Sequence, residues 1–271
     1  MYSYDEVMTY CQEEDVKFIR LAFCDLTGRQ KNIAIMPEEL GRAFRYGISF
    51  DASAIPGFGD EVRSDLFLFP DPSTLSVLPW RSAQGQVVRM FCDIRRPDGS
   101  PFERDSRRLL KKAVEAAKEM GITRYFGAEF EFYLFRTGEN GEATRIPYDN
   151  AGYMDIAPED KGENVRREIC LTLVDMGIRP EGSHHEEGPG QNEIDFRYSD
   201  ALTAADNAVT FQAVVKTIAM QNGLSACFSP KPLPDQSGNG LHINMSLQGA
   251  RDQRQRDAFM AGILRHVREI T

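Results

Sequence analysis

Residues Glu181 to Tyr198 of this 271-residue chain read EGSHHEEGPGQNEIDFRY. Histidines and carboxylates precede a Gly-Pro-Gly turn, after which the stretch continues as an alternating strand. Ile194, Phe196 and Tyr198 face one way in that strand, and the polar residues between them face the other. Two interpretations are open: a solvated acidic turn, or a set of oxygen atoms that bind a ligand. The sequence on either side decides between them.

A second stretch, FGAEFEFYLF, contains Glu129 and Glu131. Residues two apart on a strand share a face at a distance of about 7 Å. Phe130 and Phe132 occupy the opposite face. Two like charges so placed require a cation, a retained proton or a solvated outer face. For an isolated pair, the solvated face is the better explanation.

This pair is not isolated, because two further segments show the same arrangement. Glu186 and Glu193 flank the Gly-Pro-Gly turn, and in GLHINMSL the residue His242 shares a strand face with Asn244 and Ser246. A single metal-lined cleft explains all three segments. Oxygen ligands favour Mg²⁺ or Mn²⁺, and the imidazole inclines one site towards Mn²⁺. Ions held in this way typically bridge polyphosphate oxygens.

Two other features carry weaker signals. His184 and His185 are adjacent on a predicted strand, so one of them points away from any site, and we predict supporting or structural roles for both. The loop KPLPDQSGNG (231–240) matches neither a Walker loop nor a dinucleotide fingerprint.

Composition excludes several classes of function. The net charge of −9 argues against binding to nucleic acids or anionic membranes. The five cysteines are far apart and form no C-x-x-C pair, which predicts reduced thiols and a cytoplasmic location. The N-terminal segment lacks the features of a signal peptide, and no apolar run approaches the roughly 20 residues of a membrane span.

The order of predicted elements indicates an α+β chain with two domains. A hairpin over residues 16–36 and a strand over residues 86–94 belong to a small, mostly β N-terminal domain, residues 1–100. The clearest change of composition lies at residues 95–105. Residues 101–271 form the second domain, with amphipathic helices that end at Gly121 and Gly177.

Taken together, FGAEFEFYLF, HHEEGPGQNEID and FSPKP followed by SGNGLHINMSL resemble the glutamine synthetases of the bacterial type I class. VKFIRLAFCDLTG, FDASAI and LFLFPDPSTLSVLPW resemble their N-terminal domain, in the same order. The resemblance covers essentially the whole chain. It implies a β-grasp-like domain followed by a catalytic domain with a curved antiparallel sheet and packed helices. It also implies two divalent metals and a reaction in which ATP phosphorylates glutamate before ammonia attacks.

The resemblance assigns roles to individual positions. It implies one metal held by Glu131, Glu186 and Glu193, and another held by Glu129 and His242. ATP would contact Glu181, Asn244 and Ser246, and the backbone at Gly238 would contact glutamate. Glu186 and Asp51 would take part in catalysis, Asp51 by reaching into a neighbouring subunit's site to bind and deprotonate ammonium. The resemblance therefore predicts a homo-oligomer.

Three departures from the family pattern keep alternatives open. Ser237 stands where the family usually has asparagine before a glycine, which allows a γ-glutamyl ligase that uses another amine. Asn244 replaces a common histidine. The sequence ends at Thr271, before the segment that supplies further metal, phosphate and glutamate contacts, so the resemblance predicts an incomplete catalytic domain with impaired activity. The other alternative is a non-catalytic module that binds metal and nucleotide or assembles with other subunits.

Overall fold

Two β-sheets, each with its own hydrophobic core, organise the chain. The computed structural model describes residues 2–59, 64–81, 85–249 and 252–270. The first part contains helices α1 (Tyr4–Glu13) and α2 (Leu40–Tyr46) and strands β1 (Val16–Cys24), β2 (Gln30–Ile35), β3 (Ile48–Asp51), β4 (Asp65–Pro70), β5 (Ser76–Val77) and β6 (Gln86–Arg95). Short 3₁₀ turns lie at Pro37–Glu39, Ala52–Ala54, Pro72–Thr74 and Pro79–Arg81.

The first sheet has the strand order β2-β1-β6-β4-β3, with β5 also paired to β6. Strands β1 and β2 form the predicted antiparallel hairpin, and β1 runs parallel to β6. Parallel pairing between β1 and β6 requires a long crossover connection, which the elements from β2 to β5 supply.

The second part is built around one long strand. It comprises α3 (Ser106–Glu119), β7 (Thr123–Thr137), β8 (Ala143–Pro147), α4 (Glu163–Asp175), β9 (Pro180–His185), β10 (Gln191–Phe196), β11 (Ser199–Asp200), α5 (Ala201–Gln221), β12 (Leu224–Cys227), β13 (Leu241–Gln248), α6 (Gln253–Arg265) and α7 (Val267–Ile270). Strand β7 pairs antiparallel with β8, β10, β11, β12 and β13, and β9 pairs with β10. The predicted α+β class is confirmed.

Most predicted elements are present, with two differences. The helices predicted to end at Gly121 and Gly177 do so, and both glycines have positive φ angles of 73° and 81°. Strands β3 and β8 lie where the sequence analysis assigns no strand. Strand β8 is a short edge strand of the sequence ATRIP, in which three of the five residues are exposed, so it lacks the apolar alternation on which a sequence prediction relies.

Helix α5 supports the second sheet from its apolar face. Phe211 at its centre is fully buried, and its ring centroid lies 5.0 Å from that of Phe130 and 4.9 Å from that of Phe196. Phe132 and Phe228 complete this aromatic cluster. The core therefore fills one face of β7 and leaves Glu129 and Glu131 on the other.

A cluster of ion pairs joins the two parts of the chain. Arg107 of α3 contacts Asp71 at 2.9 Å, Asp93 at 3.3 Å and Asp206 of α5 at 3.0 Å. Its side chain is only 10% exposed, and Lys111 contacts Asp93 at 2.7 Å. Because these charges are largely shielded from solvent, they fix the orientation of α3 and α5 against β6 more firmly than surface pairs do.

None of the helices in the described ranges has both the length and the apolar composition that a membrane crossing requires. All five cysteines are free thiols.

Replacing Phe211 with alanine tests the role of α5. We expect the free energy of unfolding to fall by about 3–5 kcal/mol, because the substitution leaves a cavity among four aromatic rings. Denaturant unfolding measures the change. Met220→Ala on the same helix is the control, since Met220 is 68% exposed and its loss should cost little. Equal effects of the two substitutions would contradict this account of the core.

Candidate divalent-cation site

The acidic face of the second sheet is assembled by strand register. Glu131 of β7 lies directly opposite Glu193 of β10, which in turn lies opposite His184 of β9. One row along, Asp195 lies opposite Glu129, and Glu129 lies opposite His242 of β13. Directly opposite residues have Cβ atoms about 4.5–5.5 Å apart. Four neighbouring strands thus direct carboxylates and imidazoles to one surface.

On this face, two groups of side chains have the spacing of a metal site. The potential ligand atoms of Glu129, Glu193 and His242 lie within 4.8 Å of one another, as do those of His184, Glu193 and Asp195. His242 Nδ1 is 3.2 Å from a Glu129 oxygen. Glu193 belongs to both groups. The donors are carboxylate oxygens and imidazole nitrogens, a set that suits Mg²⁺ or Mn²⁺.

Glu186 joins this surface from the end of β9. His184 lies between the two glutamates, with Nδ1 3.6 Å from a Glu186 oxygen and Nε2 3.6 Å from a Glu193 oxygen. Burial, together with hydrogen bonds and charges from Glu186 and Asp195, raises the pKa of Glu193 to about 9. Burial and the charge of Glu129 raise the pKa of Asp195 as well, against the hydrogen bond from Glu193. A nearby positive charge would favour the ionised form of both carboxyl groups, so the electrostatics of this surface suit a cation.

The loop before β13 holds Glu131 in place. Gln191 Nε2 donates to a Glu131 oxygen at 2.8 Å and to the Gly238 carbonyl at 2.9 Å. The Glu131 backbone N–H donates to the Gly240 carbonyl at 3.2 Å. A Cβ atom at Gly240 would lie 2.5 Å from a Glu131 oxygen and 2.8 Å from His242. A side chain at residue 240 would therefore displace the Glu131 carboxylate and the His242 ring from these positions.

A buried polar network supports the turn that follows β9. His185 is fully buried, and its Nε2 lies 2.9 Å from an Asp149 oxygen that also accepts from the Gly190 N–H. Burial disfavours ionised Asp149, but the hydrogen bonds from His185 and the backbone outweigh it and lower its pKa. Arg166 links Asp160 to Asn192 of β10. The network fixes both ends of the turn between Glu186 and Glu193.

The predicted residues fall into two sets. Glu129, Glu131, Glu186, Glu193 and His242, the five predicted metal ligands, lie together on the acidic face. Asn244 donates to a Glu129 oxygen at 2.6 Å, and Ser246 follows on the same face of β13. Glu181 is exposed on β9, and its charge contributes to the raised pKa of Asp195.

Asp51 is separate from this set. It ends β3 in the first sheet, is exposed, and accepts hydrogen bonds from the backbone and hydroxyl of Ser53. These hydrogen bonds lower its pKa. None of its contacts within the described ranges reaches the acidic face.

Sequence reasoning left open which of the two histidines faces the site, and it did not single out Asp195 or Gln191. His184 points to the acidic face while His185 points to the interior, a choice that the register of β9 against β10 makes. Asp195 was visible in the sequence, because it shares the alternation of Glu193. Gln191 gave no signal, since its role depends on a loop more than forty positions later in the chain.

The fold and this face define a chain with two β-sheets, the second of which gathers carboxylates and imidazoles that could hold a metal ion. Two family models match the chain: the glutamine synthetase beta-grasp domain over residues 15–97 and the glutamine synthetase catalytic domain over residues 103–271. The chain belongs to the glutamine synthetase family. The expected β-grasp domain and catalytic-domain fold are thereby confirmed.

Individual relatives agree with the family models. The chain is 50% identical to a glutamine synthetase of Clostridium saccharobutylicum, covering 91% of this chain and 56% of the relative. It is 42% identical to one of Staphylococcus epidermidis, covering 98% and 63%. The chain thus spans about 56–63% of the length of these two relatives.

Two solved structures share the fold. A cryo-EM structure of Plasmodium falciparum glutamine synthetase superimposes with a TM-score of 0.87 at 27% identity, covering 98% of this chain and 60% of that one. A GmaS complex with ADP superimposes with a TM-score of 0.81 at 30% identity, covering 90% and 56%.

The pKa of Glu193 leads to a prediction for the metal-free protein. Between its ordinary value of 4.5 and its folded value of about 9, the folded state retains a proton that the unfolded state has lost. This group therefore reduces stability progressively as pH rises through that window. We expect Glu193→Gln to remove this contribution, so that the variant gains stability over the parent protein as pH increases.

Urea unfolding in the presence of a chelator, at several pH values across the window, measures the difference. Glu163→Gln is the control, because Glu163 is exposed at the start of α4. A pH-independent difference between Glu193→Gln and the parent protein would show that the carboxyl group is ionised throughout.

Proposed function

We propose that the protein to which this chain belongs ligates ammonia to the side-chain carboxylate of glutamate at the expense of ATP. The observation that carries the proposal is the convergence of Glu129, Glu131, Glu186, Glu193 and His242 on one face of the second sheet. A glutamate carboxylate oxygen would attack the γ-phosphorus of ATP and release ADP. Ammonia would then attack the carbonyl carbon of the γ-glutamyl phosphate, which releases phosphate and a proton.

Two divalent cations, Mg²⁺ or Mn²⁺, fit the residues present. Glu131, Glu186 and Glu193 would hold the ion nearer glutamate, while Glu129 and His242 would hold the ion nearer the nucleotide. Such ions neutralise phosphate charge and polarise the reacting oxygens when bound. The raised pKa of Glu193 supports this assignment, because burial and the neighbouring Glu186 and Asp195 favour its protonated form and a bound cation would offset both effects.

Nucleotide and glutamate would bind on either side of these ions. We assign Glu181, Asn244 and Ser246, which all border the acidic face, to the ATP site. We assign the backbone at Gly238 to the glutamate site. The similarity to GmaS in complex with ADP supports a nucleotide site. Gln191 and Gly240 would position Glu131 for its cation, since both contact its carboxylate or backbone.

Assembly of several copies would complete the site. Asp51 lies on the exposed edge of the first sheet, which supports the proposal that it reaches a neighbouring copy and helps to bind and deprotonate ammonium. The protein would then be a homo-oligomer. Its free cysteines support a reducing, cytoplasmic location.

A different amine substrate remains an alternative because of the loop before β13. Ser237 donates its hydroxyl to a Glu187 oxygen at 2.6 Å. Asn239 donates to the carbonyls of Ser229 and Cys227. The Asn239 amide therefore stabilises the backbone of this loop. The loop differs from the family pattern next to Gly238, where glutamate would bind.

Titration with Mn²⁺, followed by electron paramagnetic resonance, tests the cation site directly. We expect Glu129→Gln and His242→Asn each to weaken binding by about 100-fold or more, because even the loss of an outer hydrogen-bond partner of a metal site costs about 10–100-fold. Glu119→Gln and His266→Asn are matched controls. Glu119 lies at the end of α3, His266 lies just after α6, and both residues are exposed. Unchanged Mn²⁺ affinity in the first two variants would refute the assignment.

Measurements of turnover distinguish a ligase for ammonia from a ligase for another amine and from a non-catalytic module. We expect ADP release by the purified protein to require glutamate, Mg²⁺ and an amine. We expect Asp51→Asn to reduce kcat/KM for ammonia by about 10- to 10⁴-fold, because Asp51 would transfer a proton. Comparing ammonia with methylamine and ethylamine identifies the preferred amine. Mn²⁺ binding without amine-dependent ADP release would instead favour a non-catalytic module.

A further inference from the structure

Two arginines stand side by side on the first sheet. Arg20 of β1 and Arg89 of β6 are directly paired in the parallel register, so neighbouring strands about 5 Å apart direct both side chains to the same face. That face packs against α5. Like charges directly opposite each other on a sheet are destabilising, so this arrangement requires a compensating group.

Arg89 is buried, with 6% of its surface exposed. Nη1 donates to Thr210 Oγ1 of α5 at 2.8 Å, and the guanidinium lies 4.0 Å from the centroid of the Phe91 ring. Nε is buried and has no hydrogen-bond partner. Burial lowers the pKa of Arg89 to about 10, so the group is still a cation at neutral pH.

The protein supplies no direct counterion among the described residues. The charge of Asp206 has the largest favourable effect on Arg89, but the Asp206 carboxylate accepts hydrogen bonds from Nε and Nη2 of Arg107. The charge of Asp206 reduces the free-energy cost of burying Arg89, but its carboxylate provides no hydrogen-bond acceptor for Arg89. Arg20 Nη1 donates to the amide oxygen of Asn32 at 3.2 Å, and Arg20 likewise forms no ion pair in the described ranges.

A cavity of about 200 Å³ opens between these arginines and α5. Its described lining contains no carboxylate. Polar groups come from Gln30, Asn32, Thr210 and Thr217, and apolar walls from Leu78, Trp80, Met176 and Ala213. The Gln30 side-chain oxygen is also buried without a partner. The volume is below the roughly 300–1,000 Å³ of drug-sized sites, so the cavity suits a small metabolite.

We propose that this cavity between the two domains binds a small organic dicarboxylate. Two guanidinium groups would each take one carboxylate through charge-assisted hydrogen bonds. The amide and hydroxyl groups would complete the polar contacts, and Trp80 with its apolar neighbours would cover a short hydrocarbon spacer. A bound dianion would neutralise the paired cations and bridge β1 and β6 to α5. The site is distinct from the acidic face, which lies on the opposite side of β7 from α5.

Calorimetric titration with succinate, at low ionic strength, tests the proposal. We expect succinate to bind, and succinamide, which has similar size and no charge, to give no heat. Arg20→Gln should weaken succinate binding by about 10- to 100-fold, the loss expected for a charge-assisted hydrogen bond. Arg29→Gln should leave it unchanged, because Arg29 is exposed on the β1–β2 turn outside the cavity. Arg20 is only half-buried, so its replacement is compatible with folding.

Thermal unfolding of Arg89→Met, without and with succinate, provides a second measurement. Removing a buried, unpaired cation should make the ligand-free protein at least as stable as the parent, while succinate should no longer raise the melting temperature. Absence of succinate binding to the parent protein, equal affinity in Arg20→Gln, or equal affinity for sulfate would overturn the proposal. Mn²⁺ titration of the same samples reports separately on the acidic face, so failure of one site does not imply failure of the other.

Discussion

Repulsion between like charges on β7 and β10 is the constraint on which the second domain depends. Glu131 is fixed opposite Glu193, and Glu129 is fixed opposite Asp195. The strands cannot relieve this by slipping one residue, because the slip would turn Phe130 and the other core residues out to solvent. The aromatic core under the sheet therefore holds the carboxylates together. Burial and the charge of Glu129 raise the pKa of Asp195, while burial and the neighbouring Glu186 and Asp195 raise that of Glu193. The packing of the core thus keeps together acidic groups that would otherwise separate.

The need to hold repelling groups together also explains why several buried polar side chains lie behind the turn after β9. A site that must gather repelling groups needs their backbone held independently of any cation. Asp149 and His185 hold the turn from within, while Arg166 joins Asp160 to Asn192 on the adjoining strand. Nearly all of these hydrogen-bonding atoms are inaccessible to solvent, so the network is costly to break. Glu186 and Glu193 are positioned by the folded chain itself.

Period-two alternation was sufficient to predict from sequence which face Glu129, Glu131 and Glu193 occupy, because a strand leaves only two choices. The alternation could not predict the register between strands, because register depends on packing between segments that are far apart in the chain. His184 illustrates the limit: alternation shows that it and His185 diverge, and only the pairing of β9 with β10 decides which one meets Glu193. Strand β8 was missed because an exposed edge strand lacks an apolar pattern. The role of Asp51 rests on the family resemblance, since its contacts within one chain show only an exposed turn.

Paired like charges also occur on the first sheet, with opposite sign. A carboxylate cluster can reduce its repulsion by retaining protons, and Glu193 does so. A guanidinium cannot, because even the lowered pKa of Arg89 leaves it charged at neutral pH. Arg20 and Arg89 must therefore be compensated by an anion or by the charge of more distant groups, and Asp206, the aspartate whose charge acts on Arg89, is already paired with Arg107. Neither arginine is distinctive in the sequence, where each alternates with apolar neighbours on an ordinary strand. Their significance arises only when the crossover from β1 to β6 places them in one row, facing a cavity with no acid in its described lining.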